Sequence, residues 1–296
     1  MEILDVKKEP RERLHLVHET CYTYSAPVEF GPHRLVLRPR EGHDVRLEVM
    51  TLETFPVSSV RWYRDILDNS IAVAAFSEPS AELRIRSEFI IALPANFDEA
   101  RPPVQVSYPP HVAGIDELIT VPYRQFTYPH EVERLRMWFV ANSLEPQTSE
   151  RRAIFDDLAA LVFKAIRYSR REEPGVQSPV ATLDFGSGSC RDMAVLFIEI
   201  SRAMGFPARF VSGYLESSNS KVGRGSSHAW AEIYLPEKGW TGYDPSIGRR
   251  VGVGHVAVGV SHHPRGVMPV TGGFVGPPGV TSSLKVSIST QRLPAA

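Results

Sequence analysis

The stretch FGSGSCRDMAVLFIEISRAMGFP, residues 185–207, organises the reading of the whole chain. A glycine- and serine-rich turn gives way to a run that is apolar on most of its surface except at Arg191, Asp192, Glu199 and Arg202, the pattern of a buried helix. Ser189 followed three residues later by Asp192 is a capping-box pattern and puts Cys190 at the first helical position. Gly205 suits the C-terminal cap, and Pro207 stops any continuation. Cys190 reads in two ways. Free cysteine behaves as a small apolar residue and is commonly buried. The unpaired N–H groups and positive dipole end of a helix also stabilise a thiolate. Arg191 adds a nearby positive charge, and Gly186 and Gly188 are either plain turn residues or points where the backbone approaches a substrate. In the second case Gly188, Ser189 and the Cys190 amide would border a bound carbonyl.

Composition narrows the classes of function. The 296 residues are 43% hydrophobic and 23% charged, with a formal net charge of −1, enough for two lobes or one large core with an appended domain. Such a charge offers no electrostatic basis for a nucleic-acid partner. The opening MEILDVKKEPRERLHL is charged and lacks the apolar segment of a secretory leader. No stretch approaches the roughly 20 apolar residues that cross a bilayer, so no membrane partner is expected. Two cysteines, Cys21 and Cys190, make neither a disulfide framework nor a typical structural zinc site. The expectation is a reduced, cytoplasmic protein.

Outward from the central helix the chain divides. Residues 12–93 hold short strand-like runs, among them TCYTY, HRLVLRPR, VRLEVMTLETF, SIAVAAF and ELRIRSEFIIAL, separated by turn residues, which predicts an antiparallel sandwich. Residues 94–129 are proline-rich with little periodicity. Helical period then places Val132, Leu135, Trp138 and Phe139 on one face, and Ile154, Leu158, Leu161, Val162, Ala165 and Ile166 on another. After the central helix, ARFVSGYLE, SHAWAEIYL, GWTGYDPS and HVAVGV are strand-like. The class is α+β. The predicted division is a β domain over 1–95, a proline-rich ordered linker over 96–130, and an α+β core with C-terminal strands over 131–296.

A thiolate needs a base, and the base needs an orienting group. SSHAWAEIYL supplies His228 at a strand start. Period 2 groups His228, Trp230, Glu232 and Tyr234 on one face and assigns Ala229, Ala231, Ile233 and Leu235 to the core, so His228 and Trp230 are expected to look toward a cleft. PEKG reads as a turn and GWTGYDPS as the returning strand, ending at Asp244. A four-residue loop would put Asp244 on the face of Ala231, whereas a three-residue loop or a bulge puts it beside His228. Trp230 and Trp240 read either as cleft-lining or as core aromatics. The adjacent His262 and His263 point different ways in an extended chain and lack a matching carboxylate, so no metal or other cofactor is expected.

GSCRDMAVLFIEISRAMGFPARFVSGYL, SSHAWAEIYLPEKGW and GYDPS together resemble the transglutaminase-like superfamily, in its bacterial branch with an N-terminal β domain. LHLVHETCYTYSAPVEFGPHRLVLRPR resembles that domain, and DILDN at 65–69 resembles its D-x-x-G-N element, with Asp68 where glycine is usual. The resemblance implies an N-terminal antiparallel β-sandwich-like domain, then a papain/transglutaminase-like core in which a buried helix packs on an antiparallel sheet. It also implies a nucleophile, base and orienting acid at Cys190, His228 and Asp244. One departure stands out: HVAVGVSHHPRGVMPVTGGFVG lacks the acids and the arginine of the branch's frequent G-R-D-x-x-D-V-x-P segment.

The implied chemistry is acyl transfer from a peptide or carboxamide bond of a peptide or protein substrate, through a thioacyl intermediate. Substrate contacts are expected at Trp230, Trp240, Gly188 and Ser189. Water as acceptor gives a protease, amidase or deamidase; an amine gives a protein-glutamine transamidase. Hydrolysis is favoured because no stretch announces an amine site. A non-catalytic peptide- or partner-binding module on the same fold is the other alternative, and the absence of C-x-x-C argues against a thiol redox protein.

Overall fold

The computed structural model describes residues 11–42, 44–94, 102–108, 110–142, 153–171, 173, 175–216, 227–236, 238–252 and 254–294. The N-terminal strands are β1 (Arg11–Phe30), β2 (His33–Leu35), β3 (Arg46–Phe55), β4 (Ser58–Arg64), β5 (Ser70–Phe76) and β6 (Ser80–Pro94). In β1, Leu14, Leu16, His18 and Thr20 are buried at strict alternation, and Tyr24, Val28 and Phe30 continue the inward face. The two ends of this strand serve different cores. Tyr24, Val28 and Phe30 pack with Leu35, Leu37, Ala72, Ala74, Leu83 and Ile85 between the two sheets of a sandwich. Leu14 and Leu16 pack with Phe89 and Ile91 against Tyr214, Val256 and Val258 of the C-terminal half. One long strand therefore ties the sandwich to the rest of the molecule.

The proline-rich linker contains a helix, α1 (Ile115–Arg124), that its lack of periodicity did not announce. Asp116 and Glu117 in the first turn and Arg124 in the last suit the helix dipole, and Pro122 sits near the C-terminus. Next come α2 (Val132–Ala141), α3 (Ile154–Ala165), β7 (Arg167–Tyr168), α4 (Pro179–Phe185), β8 (Ser187–Gly188) and α5 (Cys190–Ala203). Then follow β9 (Ala208–Leu215), β10 (His228–Leu235), β11 (Gly239–Asp244), β12 (Arg249–Arg250) and β13 (His255–Ser261). The sheet of the C-terminal half has the antiparallel order β12-β11-β10-β9-β13. Helix α5 lies on the face formed by Ala229, Ala231, Ile233 and Leu235 and is buried from Asp192 to Ala203.

The charged residues of α5 work as staples. Glu199 and Arg202 pair at 2.5 Å, both about 1% exposed. Glu199 accepts the N–H groups of Thr127 and Tyr128, while Arg202 donates to the carbonyls of Tyr123, Ala208 and His262. A buried ion pair is tolerable only when its remaining hydrogen-bonding groups are satisfied, and here they pin the linker and the His262 loop to the central helix.

The end of the chain departs from the predicted division. β14 (Val270–Thr271) pairs with β2, β15 (Phe274–Val275) pairs with β1, and β16 (Ser282–Leu293) runs beside β1 from Arg13↔Leu293 to Tyr24↔Ser282. The strands after β13, assigned on sequence to 131–296 with the core, belong to the N-terminal sheets. Short alternating strands carry no signal of which sheet edge they complete, and β1 offered an open edge along most of its length.

Candidate active site

Ser178 accepts a hydrogen bond from the Ala181 N–H, Pro179 starts α4, and Gly186 closes it at φ 57. The two residues of β8 then deliver the chain to α5. There Asp192 Oδ2 accepts both the N–H and the hydroxyl of Ser189 at 2.8 Å, and Oδ1 accepts from Arg171 Nη1 and the Gln177 N–H. A Cβ on Gly188 would lie 2.9 Å from Asp192 Cβ, so glycine is needed for the turn to close on this carboxylate. The hydroxyl of Ser189 is committed to the cap, and Gly188 to close packing. The first turn of α5 therefore presents Cys190, 6% exposed, from a rigid frame.

Strand register brings the next two residues to it. Leu235 pairs with Gly239 and Ala231 with Tyr243, the three-residue alternative for the β10–β11 loop. Asp244 consequently shares the face of His228 and Trp230. His228 Nε2 donates to Asp244 Oδ2 at 2.6 Å, with both side chains fully buried. Asp244 Oδ1 accepts from the backbone N–H and the hydroxyl of Ser246 at 2.9 and 2.6 Å. His228 Nδ1 has no formed hydrogen bond, which leaves it as the nitrogen available to Cys190. The thiol is close enough to act on the ring both by its charge and as a hydrogen-bonding partner short of strict geometry, as is common before substrate binds.

The electrostatics follow from this enclosure. Burial favours neutral imidazole at His228, but the charge of Asp244, then that of Cys190 and the hydrogen bonds of both, outweigh it and hold the proton up to about 10. Burial likewise penalises the Asp244 carboxylate, and His228 followed by His255 keeps it well below the usual carboxylate range. A base that stays protonated beside an ionised aspartate is suited to stabilising a neighbouring thiolate.

His255 is a contact that the sequence reading missed. Its Nε2 donates to the same Asp244 Oδ2 at 3.0 Å, and its Nδ1 accepts the Gly252 N–H at 3.2 Å. HVAVGV showed only a strand; the path from β11 round to the far sheet edge, which returns His255 to Asp244, has no local signature. The donor atoms of His228, Asp244 and His255 lie within 4.8 Å of one another, a spacing that would suit a cation. The ring orientations fit a different use. Gly252 fixes the His255 proton on Nε2, so both histidines face the carboxylate as N–H donors rather than as lone-pair ligands.

Neither tryptophan expected to contact substrate lines an open cleft. Trp230 is 1% exposed and packs with Val211, Val260 and Leu67, its ring 6.2 Å from His228 and 5.2 Å from His255. It braces the histidines from below instead of lining an open cleft. Gly213 makes room for it, since a Cβ there would meet Trp230 Cη2 at 2.6 Å. Trp240 pairs with Tyr234, six positions along β10 from His228 and so ~20 Å away at the strand rise. It meets Tyr123 and Tyr234 edge to face beneath the Arg209 guanidinium, 4.0 Å from its ring centre. His262 Nε2 donates to the Gln125 carbonyl, and His263 Nδ1 accepts from the Arg265 N–H, so the two rings diverge as expected.

The β domain reaches the site through two residues of the family-like motifs. The Asn69 side-chain amide donates to the Val260 carbonyl and accepts its N–H, each at 2.8 Å, imitating a strand partner for β13. Arg40 donates to Asn69 Oδ1 and the Leu67 carbonyl, and its backbone N–H to the Ala257 carbonyl. Asp68 has φ 60, the left-handed conformation that explains why glycine is usual at this position.

A cysteine at the head of a buried helix, a histidine opening one strand and an aspartate closing the next define the transglutaminase-like class. The profile of the transglutaminase-like superfamily matches residues 139–245, and that of the bacterial transglutaminase-like N-terminal region matches residues 14–92. The chain belongs to the transglutaminase-like superfamily, in the branch that carries this bacterial N-terminal region. An uncharacterized protein of Mycobacterium leprae (strain TN) is 25% identical over 275 residues, covering 89% of this chain and 94% of its own. A protein-glutamine gamma-glutamyltransferase of Pseudomonas aeruginosa is 36% identical over 69 residues, 21% of this chain and 10% of that one. The crystal structure of a candidate cysteine protease from Cytophaga hutchinsonii superposes with a TM-score of 0.72 at 12% identity, over 97% of this chain and 92% of that one, a likeness of fold.

Proposed function

We propose that the protein is a cysteine-nucleophile acyl-transfer enzyme acting on peptide or carboxamide bonds, with hydrolysis as its main outcome. The observation that carries this reading is the 2.6 Å His228–Asp244 bond, which leaves Nδ1 as the ring nitrogen available to Cys190. In the first half-reaction the Cys190 proton resides on His228 Nδ1, and the sulfur attacks the substrate carbonyl carbon. The tetrahedral intermediate collapses as the C–N bond breaks, and the His228 proton goes to the departing amine or ammonia. Asp244 holds the ring orientation and stabilises the imidazolium throughout. In the second half-reaction an acceptor attacks the thioester, gives its proton to His228, and releases the acyl product as the thiol re-forms. Water yields a carboxylate, and an amine yields a new amide.

Mass spectrometry of a peptide library incubated with the protein, with and without an added primary amine, separates these outcomes. Cleavage or a one-dalton deamidation, both lost in Cys190→Ala, supports hydrolysis. An amine adduct as the dominant product replaces hydrolysis with transamidation. No Cys190-dependent change in any peptide, with Cys190 inert to iodoacetamide in the folded protein, makes the chain a binding module.

A further inference from the structure

We infer that His255 is a positioning residue of this site, a second imidazole donor that orients the Asp244 carboxylate and transmits the docking of the N-terminal domain to it. The inference rests on the triad reading above. Asp244 Oδ2 is shared by two Nε2–H groups, from His228 at 2.6 Å and from His255 at 3.0 Å, while Ser246 occupies Oδ1. These four bonds together fix the rotation of one buried carboxylate, and the His255 bond is the second donor on the oxygen that faces His228. In a medium that excludes water the lone pair vacated by losing that bond finds no replacement.

His255 is itself held on three sides. The Gly252 N–H fixes its tautomer, the Trp230 ring meets it edge-on at 5.2 Å and 82°, and its strand is pinned by the β domain. That pinning runs through Arg40 to Ala257 and Asn69 to Val260, two and five residues further along β13. The second imidazole is thus fixed to a strand whose place in the molecule the N-terminal domain sets. A ring that served only to fill space would need neither the Gly252 bond nor the contact to Asp244.

The test uses the full chain carrying ¹⁵N-histidine, with His255→Phe, which keeps the ring but loses the donor, and His255→Gln, which restores an N–H near the position of Nε2. Proton NMR reads the two carboxylate-bound Nε2–H resonances, and peptide-mapped iodoacetamide labelling reads Cys190 separately from Cys21. We expect His255→Phe to remove one resonance, to shift that of His228, and to slow Cys190 labelling on the order of tenfold, the lower range for loss of an outer partner of a functional histidine. His255→Gln is expected to return the His228 resonance and the labelling rate to near wild type. A His228 resonance and a labelling rate unchanged in a folded His255→Phe overturn the inference and leave the triad standing. Should His255→Phe not fold, a His255→Gln protein that is folded yet as slow as the Cys21 background overturns it equally. Absence of any Asp244-bound His228 proton in the wild type removes both readings together.

Discussion

Leu235 pairs with Gly239 across the β10–β11 hairpin, and that register is what carries Asp244 to the face of His228. Inserting one glycine between Lys238 and Gly239 moves Asp244 to the face of Ala231 unless a bulge absorbs the extra residue. Turnover of whichever library peptide proves to be a substrate is expected to fall about 10³–10⁴-fold, as when the orienting acid of a triad is lost, and Asp244→Asn should match it. An inserted variant with wild-type turnover contradicts the register as the determinant.

The same pair links stability to pH. His228 holds its proton to about 10 against an ordinary 6.5, so its contribution is complete below 6.5 and disappears as pH rises through about 10. Asp244 is depressed, so its contribution is present above the ordinary carboxylate value of about 3.9 and disappears as pH falls below it. The difference in melting temperature between wild type and Asp244→Asn is therefore expected to be largest between about pH 4 and 6.5 and to narrow toward pH 10. A difference that stays constant from pH 6 to 10 speaks against the coupling.

His18 makes the domain interface acid-sensitive in the opposite sense. It bonds Tyr214 Oη at 2.7 Å and Thr20 Oγ1 at 2.9 Å, and burial lowers its pKa from 6.5 to about 4. The unfolded chain takes up the proton first, so stability is intact above pH 6.5 and declines as pH falls to about 4, by about 3 kcal/mol in total. Urea denaturation across this range should lose most of that slope in His18→Gln. An unaltered slope assigns the acid sensitivity elsewhere.

Asn69 is wholly buried and satisfies both backbone groups of Val260. Asn69→Leu keeps the branched shape but strands both groups, at about 1–3 kcal/mol each. Chemical denaturation should show a loss of about 2–6 kcal/mol; a loss below about 1 kcal/mol means that water or a shifted loop replaces the amide.

Asp68 offers a gain. Its φ of 60 is unfavourable for a residue with a Cβ, and its ion pair with Arg64 is exposed. Asp68→Gly is expected to stabilise by up to about 1 kcal/mol, the extra unfolded-state freedom of glycine offsetting part of the relief. A lower denaturation midpoint would show that the Asp68 contacts outweigh the backbone strain.

Elements whose instructions are local were legible in the residues. The cap at Ser189 and Asp192, the apolar run of α5 and the period-2 face of β10 each follow from neighbours a few positions apart, and each stands where that logic puts it. The capped start of α4 at Ser178 and Pro179, with Gly186 at its end, was equally local, though only the turn at Gly186 was read from it. Cys190, His228 and Asp244 could be nominated in order, because residue type and flanking pattern are written along the chain.

Contacts between distant segments were decided only by the tertiary structure. A one-residue choice in the PEKG turn places Asp244 beside His228 or on the opposite face, and the residues permit either. Trp230 had the right face but lies sealed beneath Leu67 of another domain, and Trp240 is at the wrong end of its strand. His255 reaches Asp244 because the chain crosses to the far edge of the sheet, and β16 returns to β1 because an open edge awaited it. Local free energies specify helices, caps and strand faces one turn at a time. Which strand edges meet, and which buried donors share one carboxylate, depends on burying the assembled surfaces together, a quantity no single stretch of sequence contains.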